Sequence, residues 1–208
     1  MRRAIIFAIG LFVLGLAPAP AQARETYTGT DLLENCRIAS VCDTFFIGLL
    51  DAYVSIRVWA GLPGGICIPN GHLIWPFINE DLLAAPDEQL QQSTAASLVL
   101  NALRRRYSCE AGQPAVVQPA FLSGLDLSGL CQDTGLCEAF LIGVLDTHRT
   151  LVEWGELAAP HVCLPTGVEN DELMLSFLTY LQGRQDQIQH TGGSLMILAL
   201  SESYGCGP

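Results

Sequence analysis

The chain has 208 residues, half of them hydrophobic, with 21 acidic residues against 10 arginines, no lysine and a formal charge of −11. That balance argues against nucleic acid and anionic lipid as partners; it suits either a basic protein partner or plain solubility. The eight cysteines are the second constraint, because their meaning depends on the compartment the chain reaches.

The first 23 residues answer that question. MRR is a basic start, AIIFAIGLFVLGLA an apolar stretch, and AQA at 21–23 a small-x-small cleavage site, so residues 1–23 read as a secretory signal peptide. No later stretch reads as long and apolar enough to span a bilayer, so no stable membrane insertion is expected. Cleavage leaves 8 arginines against 21 acids, a net charge of −13. An exported chain with eight cysteines and none left over reads as a disulfide framework, and the periplasm is the expected location.

Beyond the leader the sequence says nearly everything twice. Cys36, Cys42, Gly48 and Asp51 return 95 residues later as Cys131, Cys137, Gly143 and Asp146. CIPNG at 67–71 returns as CLPTG at 163–167, so that Cys67, Pro69 and Gly71 match Cys163, Pro165 and Gly167 at a displacement of 96. Cys109 matches Cys206 at 97. The expected organisation is two tandem units, residues 27–109 and 122–206, joined by a Gly/Pro-containing linker at 110–120.

In chain order, each unit opens with a short helix, around 31–36 and 126–131. A long helix follows. In CDTFFIGLLDAYVSIRVW, Phe45, Phe46, Leu49, Leu50, Tyr53 and Val54 recur at helical spacing, as do Phe140, Leu141, Val144, Leu145, His148 and Val152 in the second unit. These stripes are expected to fill each unit's own core. Gly48 and Gly143 lie within the stripes; glycine costs a helix about 1 kcal/mol relative to alanine, so both mark a place where another helix passes close. The CIPNG and CLPTG phrases read as turns launching a second helix, at 73–85 and 169–182. A third helix is expected at 89–107 and 185–204, the latter weakened by Gly192 and Gly193. No segment shows convincing strand alternation. The fold class is all-α: two tandem small disulfide-stabilised helical bundle domains after a cleaved signal peptide.

The cysteine spacing lacks the close pairs that structural zinc prefers, His72, His148, His161 and His190 occupy no repeated position, and no Cys–His or CxxC set appears. Neither metal nor cofactor is expected, and the cysteines read as structural. Cys36–Cys42 is disfavoured if both residues lie on one helical run, where six positions separate them by about 9 Å along the axis. The favoured pairs are Cys36–Cys109 and Cys42–Cys67, with Cys131–Cys206 and Cys137–Cys163 as counterparts. Crossed pairing, Cys36–Cys67 with Cys42–Cys109, is the competitor.

Asp51 and Asp146 invite a catalytic reading, but neither has a neighbouring base or nucleophile in the sequence. The better reading is an acid at a helix edge, bonded to a nearby loop or exposed. TGGSL at 191–195 has glycines but neither the lysine nor the preceding strand of a phosphate loop. Trp59, Trp75 and Trp154 serve either core or interface. No catalytic residue is assigned.

The ordered set of motifs resembles the Rap/Tai family of type VI secretion amidase immunity proteins. DLLENC at 31–36, GLLDA at 48–52, CIPNG at 67–71 and ALRRRYSC at 102–109 carry the resemblance in the first unit. DLSGLC at 126–131, GVLDT at 143–147, CLPTG at 163–167 and ALSESYGC at 199–206 carry it in the second. It implies an all-helical disulfide-bearing fold and a non-catalytic periplasmic role: binding and inhibiting a secreted cell-wall amidase toxin. The chain departs from the family in having two units, and in having Tyr107-Ser108 and Tyr204-Gly205 where Phe-Pro is usual. An envelope-associated interaction module without a toxin partner is the alternative, and an uncharacterised hydrolase the third choice. Because such immunity proteins can act as homodimers, the tandem units are expected to form an internal pseudo-dimer within a monomer. The Arg104–Arg106 stretch corresponds to the diverged Ser201, Glu202 and Ser203, a basic patch against an acidic one that suits either mutual docking of the units or asymmetric recognition of a partner.

Overall fold

A computed structural model describes residues 26–69, 75–110, 114–117 and 121–207. The proposed leader and Gly71 therefore lie outside the described residues. The first half contains α1 (Gly29–Asn35), α2 (Ala39–Trp59), β1 (Gly64–Ile68), α3 (Trp75–Leu83), α4 (Asp87–Gln92) and α5 (Ala95–Arg106). After β2 (Pro114–Val117) come α6 (Gly124–Leu130), α7 (Thr134–Glu153), α8 (Asn170–Gly183) and α9 (Gly192–Tyr204). The chain is mostly helical, with four disulfides.

Local chemistry explains where the helices begin. Thr28 and Ser123 each accept a hydrogen bond from the backbone three residues on, while Asp31 and Asp126 bond back to the cap backbone. These two capping boxes satisfy donors that a helix start otherwise leaves unpaired. The expected third helix at 89–107 is broken at Ser93 and Thr94, because Thr94 caps a new helix by accepting from the Ser97 amide. Its counterpart begins only at Gly192. The paired glycines start α9 rather than interrupting it.

α2 and α7 are the axis of the molecule. They run parallel, in register along their lengths: Gly48 meets Phe140, Gly143 meets Phe45, and the Thr147 hydroxyl donates to the Leu49 carbonyl at 3.3 Å. A Cβ on Gly48 would stand 2.4 Å from the Phe140 carbonyl oxygen, and one on Gly143 would stand 2.4 Å from that of Phe45. Only glycine admits this backbone-to-backbone approach. The stripes expected to fill separate cores instead meet at this crossing, and buried residues of both halves form one continuous hydrophobic cluster. α2, at 21 residues, is long and apolar enough to cross a membrane, contrary to the sequence expectation. Its apolar surface is largely buried inside the protein, against α7 and α9.

The disulfides correct the expected pairing. Cys36 joins Cys42 and Cys67 joins Cys109; in the second half Cys131 joins Cys137 and Cys163 joins Cys206. Neither Cys36–Cys109 nor Cys42–Cys67 forms, nor do Cys131–Cys206 or Cys137–Cys163. The 9 Å argument assumed a continuous helix, but α1 stops at Asn35, Cys36 is its C-cap, and the chain turns before α2 starts. That turn brings the Cα atoms of Cys36 and Cys42 to 4.5 Å, within disulfide range.

One short strand pair stands beside the helices of this mostly helical chain. β1 pairs in parallel with β2, matching Cys67 to Val116 and Ile68 to Val117, so part of the expected linker is strand. Ile66 also bridges Ser108, and the Cys67–Cys109 bond fastens that edge. Strands of five and four residues are too short to show alternation, and tertiary pairing selects them. Pro69 follows β1 and is exposed. In the second half, the Val168 amide bonds the Pro165 carbonyl and Gly167 takes φ +88°, a turn that needs glycine at its third position.

Candidate binding surface

Asp51 and Asp146, the most tempting sequence candidates, are fully buried. Each reaches into the other half. Asp51 Oδ2 accepts from the Gly193 amide at 2.8 Å, at the start of α9. Asp146 Oδ2 accepts from the Ala96 amide at 2.8 Å, at the start of α5. Each carboxyl thus supplies an acceptor to unpaired N–H groups at the positive end of a helix dipole. They are neither exposed nor bonded to a loop as first read, and a group closed to solvent meets no substrate. Gly193 is required here because a Cβ would come within 2.8 Å of the Ala52 amide nitrogen.

The two carboxyls differ in one detail. The Ser55 hydroxyl donates to Asp51 Oδ1 at 3.3 Å and also contacts Thr191. At the matching position Thr150 bonds Thr94 at 3.1 Å, and Asp146 Oδ1 is buried without a partner. Burial pushes Asp51 up to about 6 against the helix N–H and hydroxyl bonds that oppose it. Burial pushes Asp146 further, to about 7, although the Ala96 amide and the Thr94 hydroxyl oppose it.

Where the C-terminal ends of α2 and α7 come together, the halves diverge. On one edge Arg57 of α2 and Arg104 of α5 both bond the Glu156 carboxylate, which follows α7. Arg57 also donates to the Pro63 carbonyl at 2.7 Å, and its side chain is 9 % exposed. Both guanidinium groups lie over the Tyr53 ring, and Arg104 also lies 4.3 Å from the Trp154 ring centre. This is a clasp between halves. The basic stretch therefore docks across the halves through Arg104 only. Arg105 pairs with Asp81, and Arg106 lies over Phe77, both in the first half.

On the opposite edge the charged groups and the tyrosine of the clasp are replaced, and only the tryptophan is kept. Val152 stands at the position matching Arg57, Gly61 at that of Glu156, Ser201 at that of Arg104 and His148 at that of Tyr53. Trp59, the counterpart of Trp154, is 48 % exposed beside the exposed Val58. His148 is buried, and its Nε2 accepts from the His161 amide at 3.1 Å. Burial, with the nearby His161, lowers its pKa to about 4, so it is neutral at pH 7. Sequence reading missed Arg57, Glu156, Thr94 and Thr191. The one available signal was the breakdown of the repeat at 57 and 156, an arginine opposite a valine and a glutamate opposite a glycine.

Among the described residues, no group of three or more His, Cys, Asp or Glu side chains could hold a metal ion. Fold and surface together define a disulfide-bonded, mostly helical protein with two unlike edges. Compared with known protein families, residues 123–206 match the model of Rap1a immunity proteins. No curated protein and no solved structure matches the chain.

Proposed function

We propose that the protein is an exported, non-catalytic immunity protein that binds and neutralises a cell-wall amidase toxin in the periplasm, and that both halves are Rap-type units fused into a monomeric internal pseudo-dimer. The observation that carries this reading is the similarity of residues 123–206 to Rap1a immunity proteins. Support for extending it to the first half comes from the shared disulfide pattern, capping boxes and exchanged carboxyl contacts. The fused arrangement leaves one binding body whose two edges present different chemistry to one partner.

The test is protection. Co-production of the full chain with exported cell-wall amidase toxins in a bacterial host should suppress lysis by one of them, and the two proteins should co-elute with one copy of this chain per complex. Undiminished lysis by every amidase class, with the chain folded and oxidised, overturns the reading. An envelope defect on gene deletion in the absence of any toxin would point instead to an interaction module.

A further inference from the structure

The edge that lacks the clasp holds a pocket of about 270 Å³, smaller than the roughly 300–1,000 Å³ typical of drug-sized ligands. Thr26, Leu145, His148, Val152, Val162 and Leu164 line it. Its origin is legible in the repeat. Phe121 matches Thr26, Tyr53 matches His148, Arg57 matches Val152, and Ile66 matches Val162. At all four positions the second edge carries the smaller side chain. On the first edge Tyr53 and Ile66 are fully buried, Arg57 nearly so, and Phe121 packs against the core. The space between these four positions is thus occupied by aromatic and guanidinium groups on one edge and open on the other, while the hollow on the clasp edge is lined by the charged groups Arg57, Arg104 and Glu156 instead.

The wall of the pocket carries the His148 ring, and beside it the Thr26 hydroxyl. Because His148 Nε2 accepts a hydrogen bond, the neutral ring carries its proton on Nδ1. Among the described residues that N–H makes no hydrogen bond, and the residue is 4 % exposed. At the rim, Arg149 and Glu153 bond each other at 2.8 Å and leave the apolar floor clear. A site of this kind calls for one flat apolar body carrying one acceptor.

We propose that this pocket receives an aromatic side chain of the protein partner, a tyrosine whose ring replaces the missing Phe121 and Tyr53 equivalents and whose hydroxyl oxygen accepts from His148 Nδ1. Aromatic anchors seated in small desolvated pockets are the usual source of binding energy at protein interfaces. The inference rests on the reading of the chain as a binding protein, but its first test needs no toxin. p-Cresol, the tyrosine side chain as a free molecule, is titrated at millimolar concentration into the oxidised protein while the His148 ring signals are followed by NMR. Those signals should shift saturably, and toluene, without the hydroxyl, should bind several-fold more weakly. Thr26→Phe borrows the residue of the filled edge; it should keep the helical spectrum and melting transition and lose the p-cresol shift. Unshifted His148 signals, or equal shifts in Thr26→Phe, overturn the pocket assignment whatever the toxin assay shows. In that assay the folded Thr26→Phe variant should need at least tenfold more protein for equal protection, whereas full protection by this variant overturns the docking role alone.

Discussion

At the middle of the parallel helix pair the two halves are near copies, and at its C-terminal end they are not. Gly48 and Gly143 make the same backbone approach, and Asp51 and Asp146 hold the same position on the opposite half's last helix. A few turns further on, Arg57, Arg104 and Glu156 face Val152, Ser201 and Gly61. The difference separates two demands. Positions that hold the halves together admit one solution each, because a backbone approach needs glycine and a buried helix start needs an acceptor. Positions at the end of the pair have no such constraint, so they have become a clasp on one edge and an open pocket on the other.

The largest effect should come from breaking the shared centre. Gly48→Leu or Gly143→Leu drives side-chain atoms into a carbonyl that no rotamer change can move aside. Each should cost about 3 kcal/mol or more, near the top of the range for single substitutions, in chemical denaturation of the oxidised protein. The two losses should be similar, since the approaches are reciprocal. Gly129→Ala, at an exposed position of α6 with nothing within 4 Å, serves as the control and should leave stability within about 1 kcal/mol.

A smaller effect tests the unlike ends. Glu156→Gln leaves the nearly buried Arg57 without a counter-charge, whereas no single acid holds the other edge together. Breaking a buried pair costs about 3–5 kcal/mol, and the partial exposure of Glu156 and Arg104 brings the expected loss here down to about 1–3 kcal/mol. Val152→Ala on the open edge should cost less. If Glu156→Gln proves neutral, the clasp does not hold the halves together, and the divergence lies in recognition alone.

How far the sequence led follows from the range of the interactions involved. Helical stripes and the meaning of Gly48 and Gly143 are local or nearly so, and they were readable. The exchange of carboxyls was not, since no periodicity shows that Asp51 bonds Gly193, 142 positions away. The disulfide pairing failed for a smaller reason: a change of chain direction over three residues decides whether Cys36 and Cys42 lie apart or in contact. β1 and β2 escaped notice because each is shorter than the pattern needed to recognise it. The pocket was present in the sequence as four mismatches between repeats. It became visible only once the fold placed Thr26, His148, Val152 and Val162 around one space.

The finest distinction between the halves is one hydroxyl group. Both buried carboxyls have folded pKa values raised above the usual carboxylate range, to about 6 for Asp51 and about 7 for Asp146. A raised acid binds its proton more tightly in the folded state, so its contribution to stability is fully present below the unfolded value near 4. That contribution is lost as pH rises through about 6 and about 7. The melting temperature should therefore fall from pH 4.5 to pH 8, and Asp146→Asn should flatten the fall more than Asp51→Asn does. Comparing the variants removes the general charge repulsion of an acidic chain, which all of them share to within one charge. Thr150→Ser then isolates the hydroxyl. Serine at this position lets the hydroxyl turn toward Asp146 Oδ1, as Ser55 does toward Asp51. A hydrogen bond to the ionised form lowers the pKa, so Asp146 should titrate nearer 6 than 7, a change on the order of 1 kcal/mol. Carboxyl-carbon NMR reads that titration directly. An Asp146 midpoint unmoved by Thr150→Ser would mean that depth of burial, rather than the missing hydroxyl, separates the two sites.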